Sequence, residues 1–144
     1  MNPTYWIYLF ASFRGRINRE PFWIAFGILA AIDIATQALS YQIDSERLTA
    51  IFDLALTYPE FAVAVKRAND RNLPPWLVGL FFAINVALDL FILATGNFDI
   101  NNPLNQLIIY PLGPLTLILL IELGFRRGTS GPNRFGPDPL SGKA

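Results

Sequence analysis

The sequence predicts an all-α protein: a polytopic membrane bundle of four transmembrane helices, with an N-terminal amphipathic interfacial helix before it and a short irregular C-terminal tail after it. Three observations carry that prediction. Hydrophobic residues fill 53% of the 144 positions and charged residues only 15%, too few to cover a small soluble domain, where about 25% is usual. Four apolar stretches, Pro21 to Ile43, Leu48 to Val65, Pro75 to Thr95 and Pro103 to Phe125, each have about the 17 to 25 residues needed to cross roughly 30 Å of hydrocarbon. The third is the placing of charge. Of the 11 basic residues only Arg47 lies in the connection between the first two stretches; Arg14, Arg16, Arg19, Lys66, Arg67, Arg71, Arg126, Arg127, Arg134 and Lys143 all fall at the other boundary.

Because lipid offers backbone groups no water, the four stretches must be helices, and the chain reads as one integral membrane domain over residues 1–144. Residues 1–20 come first. "TYWIYLFASF" is too short to cross and rich in aromatics, so it reads as a helix lying in the interface, aromatics toward lipid and arginines toward headgroup phosphates. It precedes the basic cluster and no A-x-A-like site follows, so it is expected to stay on the mature chain rather than act as a secretory signal. The spans occupy 21–125. Pro21, Pro75 and Pro103 suit first-turn positions, Asn102 is a good N-cap, and in "DSERL" Asp44 or Ser45 caps the second span with Glu46 near its N-terminus. Pro59, within a "TYPE" segment that resembles a capping box, predicts a kink or restart in the second span, and "YPLGP" at Tyr110 to Pro114 predicts a bent fourth. Residues 126–144 form the tail.

The charge asymmetry sets direction. Basic residues concentrate in short loops on the cytoplasmic side, so both termini are expected there. Lys plus Arg equals Asp plus Glu, which predicts no nucleic-acid partner. The absence of Cys and His removes thiolate chemistry, the commonest metal ligand and the commonest general base. "GTSG" around Ser130 is a turn rather than a nucleophile elbow, and phosphate-cradling glycine motifs are absent. A two-aspartate protease would need carboxylates sharing a proton, and nothing flanking Asp33 or Asp89 supports one. No catalytic residue, metal site or cofactor is predicted, and the chain is not expected to be an enzyme.

Polar residues inside the spans are the exception to the apolar pattern. Asp33 and Gln37 share a face of the first span, Asp53, Thr57 and Glu60 one of the second, and Asn85 and Asp89 one of the third. At about 1.5 Å per residue, Asp33 lies roughly 18 Å and Asp89 roughly 21 Å from the cytoplasmic boundary, with Asp53 at a similar level. An Asp at mid-span costs about 2.5–3.5 kcal/mol to insert, while each Leu, Ile, Phe or Val returns about 0.3–0.6, so these acids should face the bundle interior. Only Arg47 is placed to reach down toward Asp53. Asp33, Asp53, Asn85 and Asp89 then form either a proton or cation site or polar glue between helices.

Three segments on the basic side, "GRINREPFW" at Gly15 to Trp23, "AVKRANDRNLPPWL" at Ala64 to Leu77 and "GPNRFGPDP" at Gly131 to Pro139, resemble, in kind and order, a widespread family of small bacterial inner-membrane proteins, the domain-of-unknown-function family numbered eight hundred and five. The resemblance covers nearly the whole chain. Its G-R-x-x-R element with an aromatic pair is matched by Gly15, Arg16, Arg19, Phe22 and Trp23; its R-R-x-H-D element by Lys66, Arg67 and Asp70, with Asn69 where many members carry His; its terminal N-x-[YF]-G-x-D-P element by Asn133, Phe135, Gly136, Asp138 and Pro139. The resemblance implies a multi-pass protein of the bacterial inner membrane and supplies no activity, substrate or catalytic residue.

These residues should meet at the cytoplasmic surface. Asp70 is expected to pair with Arg16 or Arg19, Gly136 to permit a turn, and the tail to fold back with Phe135 as its anchor. They either brace the helix ends or form a docking surface for another membrane protein, a second copy of the chain, or anionic lipid headgroups. The leading expectation is a structural or accessory membrane component; the alternative is a small transporter or proton or cation pathway using the intramembrane acids. A cavity reaching Asp33 and Asp89 favours the pathway, and tight packing there favours the accessory role.

Overall fold

A computed structural model describes residues 2–96, 99 and 101–141; Lys143, counted above among the basic flanks, and the last three residues of the tail lie outside them. Helix α1 spans Pro3–Ala11, α2 Arg19–Gln42, α3 Glu46–Asp70, α4 Pro75–Thr95 and α5 Pro103–Leu120, which runs on into a π turn, Ile121–Phe125. No strand occurs among the described residues. Four helical segments, Arg19–Gln42, Glu46–Asp70, Pro75–Thr95 and Asn105–Phe125, are long and apolar enough to cross a membrane.

The helix ends follow local chemistry. Asn2 accepts from Thr4 N at 3.1 Å and Ser45 from Leu48 N at 3.3 Å, each satisfying a free N–H at a helix start. Gly96, at φ 82°, closes α4 in the left-handed conformation, which a side chain would strain. Arg47 lies against Gly96 rather than reaching down to Asp53.

Two expectations require correction. First, α3 does not end near Val65. It continues through Lys66, Arg67 and Asn69 to Asp70; a cation in a last turn is favoured by the helix dipole, and Lys66 and Arg67 find carbonyl acceptors on neighbouring segments. Second, α3 passes Pro59 as one helix with no restart; Thr57 is not a cap, since its hydroxyl donates back to Asp53 O at 2.8 Å. Helix α5 passes both Pro111 and Pro114 as one helix, and its break in regularity comes later, at the π turn.

The core gathers at the end of the bundle that carries the basic residues. Leu9, Ile17, Phe22, Ala25, Val63, Ala68, Val78 and Leu123 are buried together, and every residue from Ala62 to Asp70 is buried. Helix α3 is therefore the central post, with α2 and α4 packed on either side and α1 against its end. The aromatics of α1 do not all point outward as expected: Leu9 is fully buried, Tyr5, Trp6, Tyr8 and Phe10 lean on the core, and Ile7 is left 67% exposed. Helix α5 differs from the others. None of its described residues is buried, and it meets the rest of the bundle chiefly through the π turn.

Candidate functional site

Two places bring the singled-out residues together: a clasp of buried charge at the basic end, and a cavity lined by acids within the bundle.

The clasp forms around Asp70. Arg16 places Nε 3.2 Å and Nη2 3.1 Å from Asp70 Oδ1, and Arg67 Nη1 bonds Asp70 Oδ2. Both guanidiniums and the carboxylate are withdrawn from solvent. One carboxylate cannot satisfy two guanidiniums, and backbone carbonyls supply the rest. Arg16 Nη1 donates to Gly131 O at 2.8 Å and Gly136 O at 3.2 Å, and its Nη2 to Thr129 O at 2.7 Å. Arg67 Nε donates to Leu123 O at 2.6 Å, and its Nη2 to Arg126 O. Lys66 Nζ donates to Leu9 O at 2.9 Å and to Ser12 O. The acceptors at Leu9, Ser12, Leu123 and Arg126 are carbonyls at the ends of α1 and the π turn, which lack donors within their own elements. Three buried cations thus tie α1, α3 and the end of α5 by their free backbone ends.

Position by position, the clasp departs from a headgroup-facing surface. Arg16, Lys66 and Arg67 are buried, the last two completely, so they cannot face lipid phosphates as expected. Asp70 takes Arg16 as its partner. Arg19 stays exposed and donates to Phe125 O at 3.3 Å. Trp23 donates to Gly124 O at 3.0 Å, with its ring where a Cβ on Gly124 would lie 2.6 Å from Cζ2. Gly15, at φ 86°, offers its carbonyl to Asn69 Nδ2 at 3.0 Å. The tail does fold back, but Phe135 is only half-buried, its ring 4.6 Å from the Arg134 guanidinium. Asn133 anchors the tail instead, donating to Asn69 O and Thr129 Oγ1 at 2.9 Å each. Two participants carried no flag in the sequence: Thr129, whose N–H donates to Asp70 O at 2.8 Å, and Gly128, where a Cβ would lie 2.0 Å from Asp70 Oδ2.

Asp138 pins the tail turn, accepting from Leu140 N at 2.9 Å and Gly131 N at 2.8 Å. The Leu140 N–H, then that of Gly131, holds its carboxyl below the ordinary carboxylate range. A depressed folded pKa means the contribution is complete above the unfolded value, near 3.8, and is lost as pH falls through the lower folded value. The tail should therefore stay closed at neutral pH and loosen only in strong acid. Asp138→Asn should loosen it at neutral pH, read as faster trypsin cleavage after Arg134; an unchanged rate would leave the turn to Asn133 alone.

The cavity, about 460 Å³, is bounded by α2, α3, α4 and the last turns of α5. Asp33, Asp53, Asn85 and Asp89 all line it, and so does Glu60, which the sequence placed on the same face as Asp53 and Thr57 but which was not included with the other four. Its remaining walls are largely apolar, and among the described residues no basic side chain lines it. Gln37 Nε2 donates to Asp33 Oδ2 at 2.8 Å, while Asn85 turns its amide back to Phe81 O at 2.8 Å. Asp53 Oδ1 is shut off from solvent without a partner among the described residues. Asp89 is 9% exposed and, among the described residues, accepts no hydrogen bond and joins no ion pair.

The family described as "Protein of unknown function (DUF805)" matches residues 10–137. The chain belongs to this family. Arg16, Asn69, Asp70, Asn133 and Gly136, from three segments distant in the chain, converge on the clasp. The chain is 34% identical over 131 residues to "Uncharacterized protein YiiR" of Escherichia coli (strain K12), covering 88% of this chain and 85% of that protein, and the protein of the same description from Escherichia coli O157:H7 matches equally. No solved structure matches.

Proposed function

We propose that this DUF805 chain is a multi-pass protein of the bacterial inner membrane, both termini cytoplasmic, whose acidic cavity binds protons or cations and passes them between the two sides. The cavity carries this reading: Asp33, Asp53, Glu60 and Asp89 line one space within the spans, with no basic side chain in its lining among the described residues. Buried carboxylates need a counter-charge or a proton, so a wall of acids without a base is a place where one or the other resides. The apolar lengths of the four helices and the one-sided basic residues support the membrane and its direction. Helix α1, with Ile7 exposed and Arg14 beside it, fits a position along the cytoplasmic leaflet. The reading includes no catalysis.

Liposomes carrying the purified protein and a pH-sensitive dye should show an imposed cation or proton gradient collapsing faster than in empty liposomes. Asp89→Asn or Asp33→Asn should slow that collapse by about tenfold or more; equal flux in the variants would sink the reading. Direction is tested separately. Because the chain has no cysteine, a single Ser141→Cys should react with an impermeant thiol reagent only after intact cells are opened.

The clasp favours a second reading, that of an accessory component whose exposed Arg19, Arg126 and Arg127 meet another membrane protein or anionic headgroups. Its support is that the family segments converge there rather than on the cavity.

A further inference from the structure

We infer that the ligand of the acidic cavity is a lipophilic organic cation, such as an aryl-substituted ammonium or phosphonium, that reaches Asp89 sideways from the lipid between α5 and the rest of the bundle.

This rests on the preceding reading of the cavity and narrows what fills it. The volume of about 460 Å³ falls within the range of about 300–1,000 Å³ typical of small-molecule sites and far exceeds the space of a proton or a bare metal ion. The acids are spread along the walls, and among the described residues no three acids gather as a metal chelate. Between them the lining is apolar and includes the rings of Phe26, Phe81 and Phe82 from two helices. Phenyl faces attract cations that have shed their water, which aryl or alkyl onium ions do readily and small inorganic ions do not. Asp89 supplies the second element: its side chain lines the cavity at 9% exposure and no hydrogen bond or ion pair engages it among the described residues. Leaving such a group unmatched costs free energy that a bound cation would offset. An apolar cage holding a few well-placed polar groups is the usual form of a site for a greasy charged molecule.

The route follows from α5. Thr116, Leu119 and Leu120 close one wall near the π turn, but no described residue of the helix is buried and its remainder has little approach to α2, α3 or α4. An apolar gap along the side of the bundle admits molecules that partition into lipid.

The test uses the full chain in mild detergent, with equilibrium dialysis of tetraphenylphosphonium and, as a probe of the same shape and opposite charge, tetraphenylborate. Saturable binding of the phosphonium, absence of binding by the borate, and about tenfold or greater weakening in Asp89→Asn are expected. Phe81→Leu, which keeps the wall apolar but removes a ring, should weaken binding by roughly two- to thirtyfold. Should Asp89→Asn fail to purify as a single species, Phe81→Leu and the borate carry the comparison. Proton flux in liposomes without saturable phosphonium binding would overturn the inference and leave the cavity reading standing. Loss of both would overturn both. Equal uptake of the two probes would show simple partition into hydrocarbon and also overturn it.

Discussion

Asp70→Ala should cost about 3–5 kcal/mol of folding stability, because it leaves two guanidiniums buried without their shared carboxylate. Arg16 and Arg67 would keep their carbonyl acceptors, but carbonyl dipoles do not neutralise a net charge of two withdrawn from solvent. The loss should extend well beyond the site. Arg16 draws in the tail through Gly131 and Gly136, and Arg67 draws in the π turn through Leu123, so both attachments loosen together. Thermal unfolding in detergent, followed by Trp23 fluorescence, would show the shift. Arg19→Ala, at an exposed side chain, should change stability by no more than about 0.5 kcal/mol. If Asp70→Ala behaved like Arg19→Ala, carbonyls alone would be holding the clasp.

Gly128→Ala should be nearly as damaging, at about 1–3 kcal/mol, for a steric reason. The new methyl would sit 2.0 Å from Asp70 Oδ2, an overlap that only movement of the carboxylate or of the loop can relieve. Moving the carboxylate breaks its pairs with Arg16 and Arg67; moving the loop breaks the Thr129 N–H bond to Asp70 O. Gly131→Ala separates this from backbone effects, since a Cβ there meets nothing within 4 Å and only the φ of 73° resists it. The double variant Asp70→Ala with Gly128→Ala should lose far less than the sum of the single losses, because the clash partner is gone. Additive losses would show that Gly128 acts elsewhere.

The spans were legible because a run of about twenty apolar residues has few other uses. The acids were legible too, since residues three and four apart must share a helix face, and Glu60, three positions beyond Thr57, belongs to that same spacing. The burial of Lys66 and Arg67 was hidden. A basic segment after an apolar run reads as a solvated loop, and the carbonyls that make burial tolerable leave no mark in a sequence, because every residue has one. Phe135 misled in the opposite sense: a large aromatic in a short tail looks like an anchor, while the holding is done by the Asn133 amide and by main-chain oxygens at two glycines. The pairing of Arg16 with Asp70 could be anticipated from charge, but its choice over Arg19 depended on which arginine the Gly15 turn aims inward.

The clasp also fixes an order of events during synthesis. Arg16 and Arg67 emerge long before the carbonyls of residues 123–136 that complete their surroundings. Until the final span is threaded, Arg16 and Arg67 have Asp70 but not these carbonyls, and the clasp stays open on the side the tail will cover. Completion is thereby registered physically: a product truncated before Leu123 keeps α1 tied through Lys66 but offers Arg16 and Arg67 none of these later acceptors.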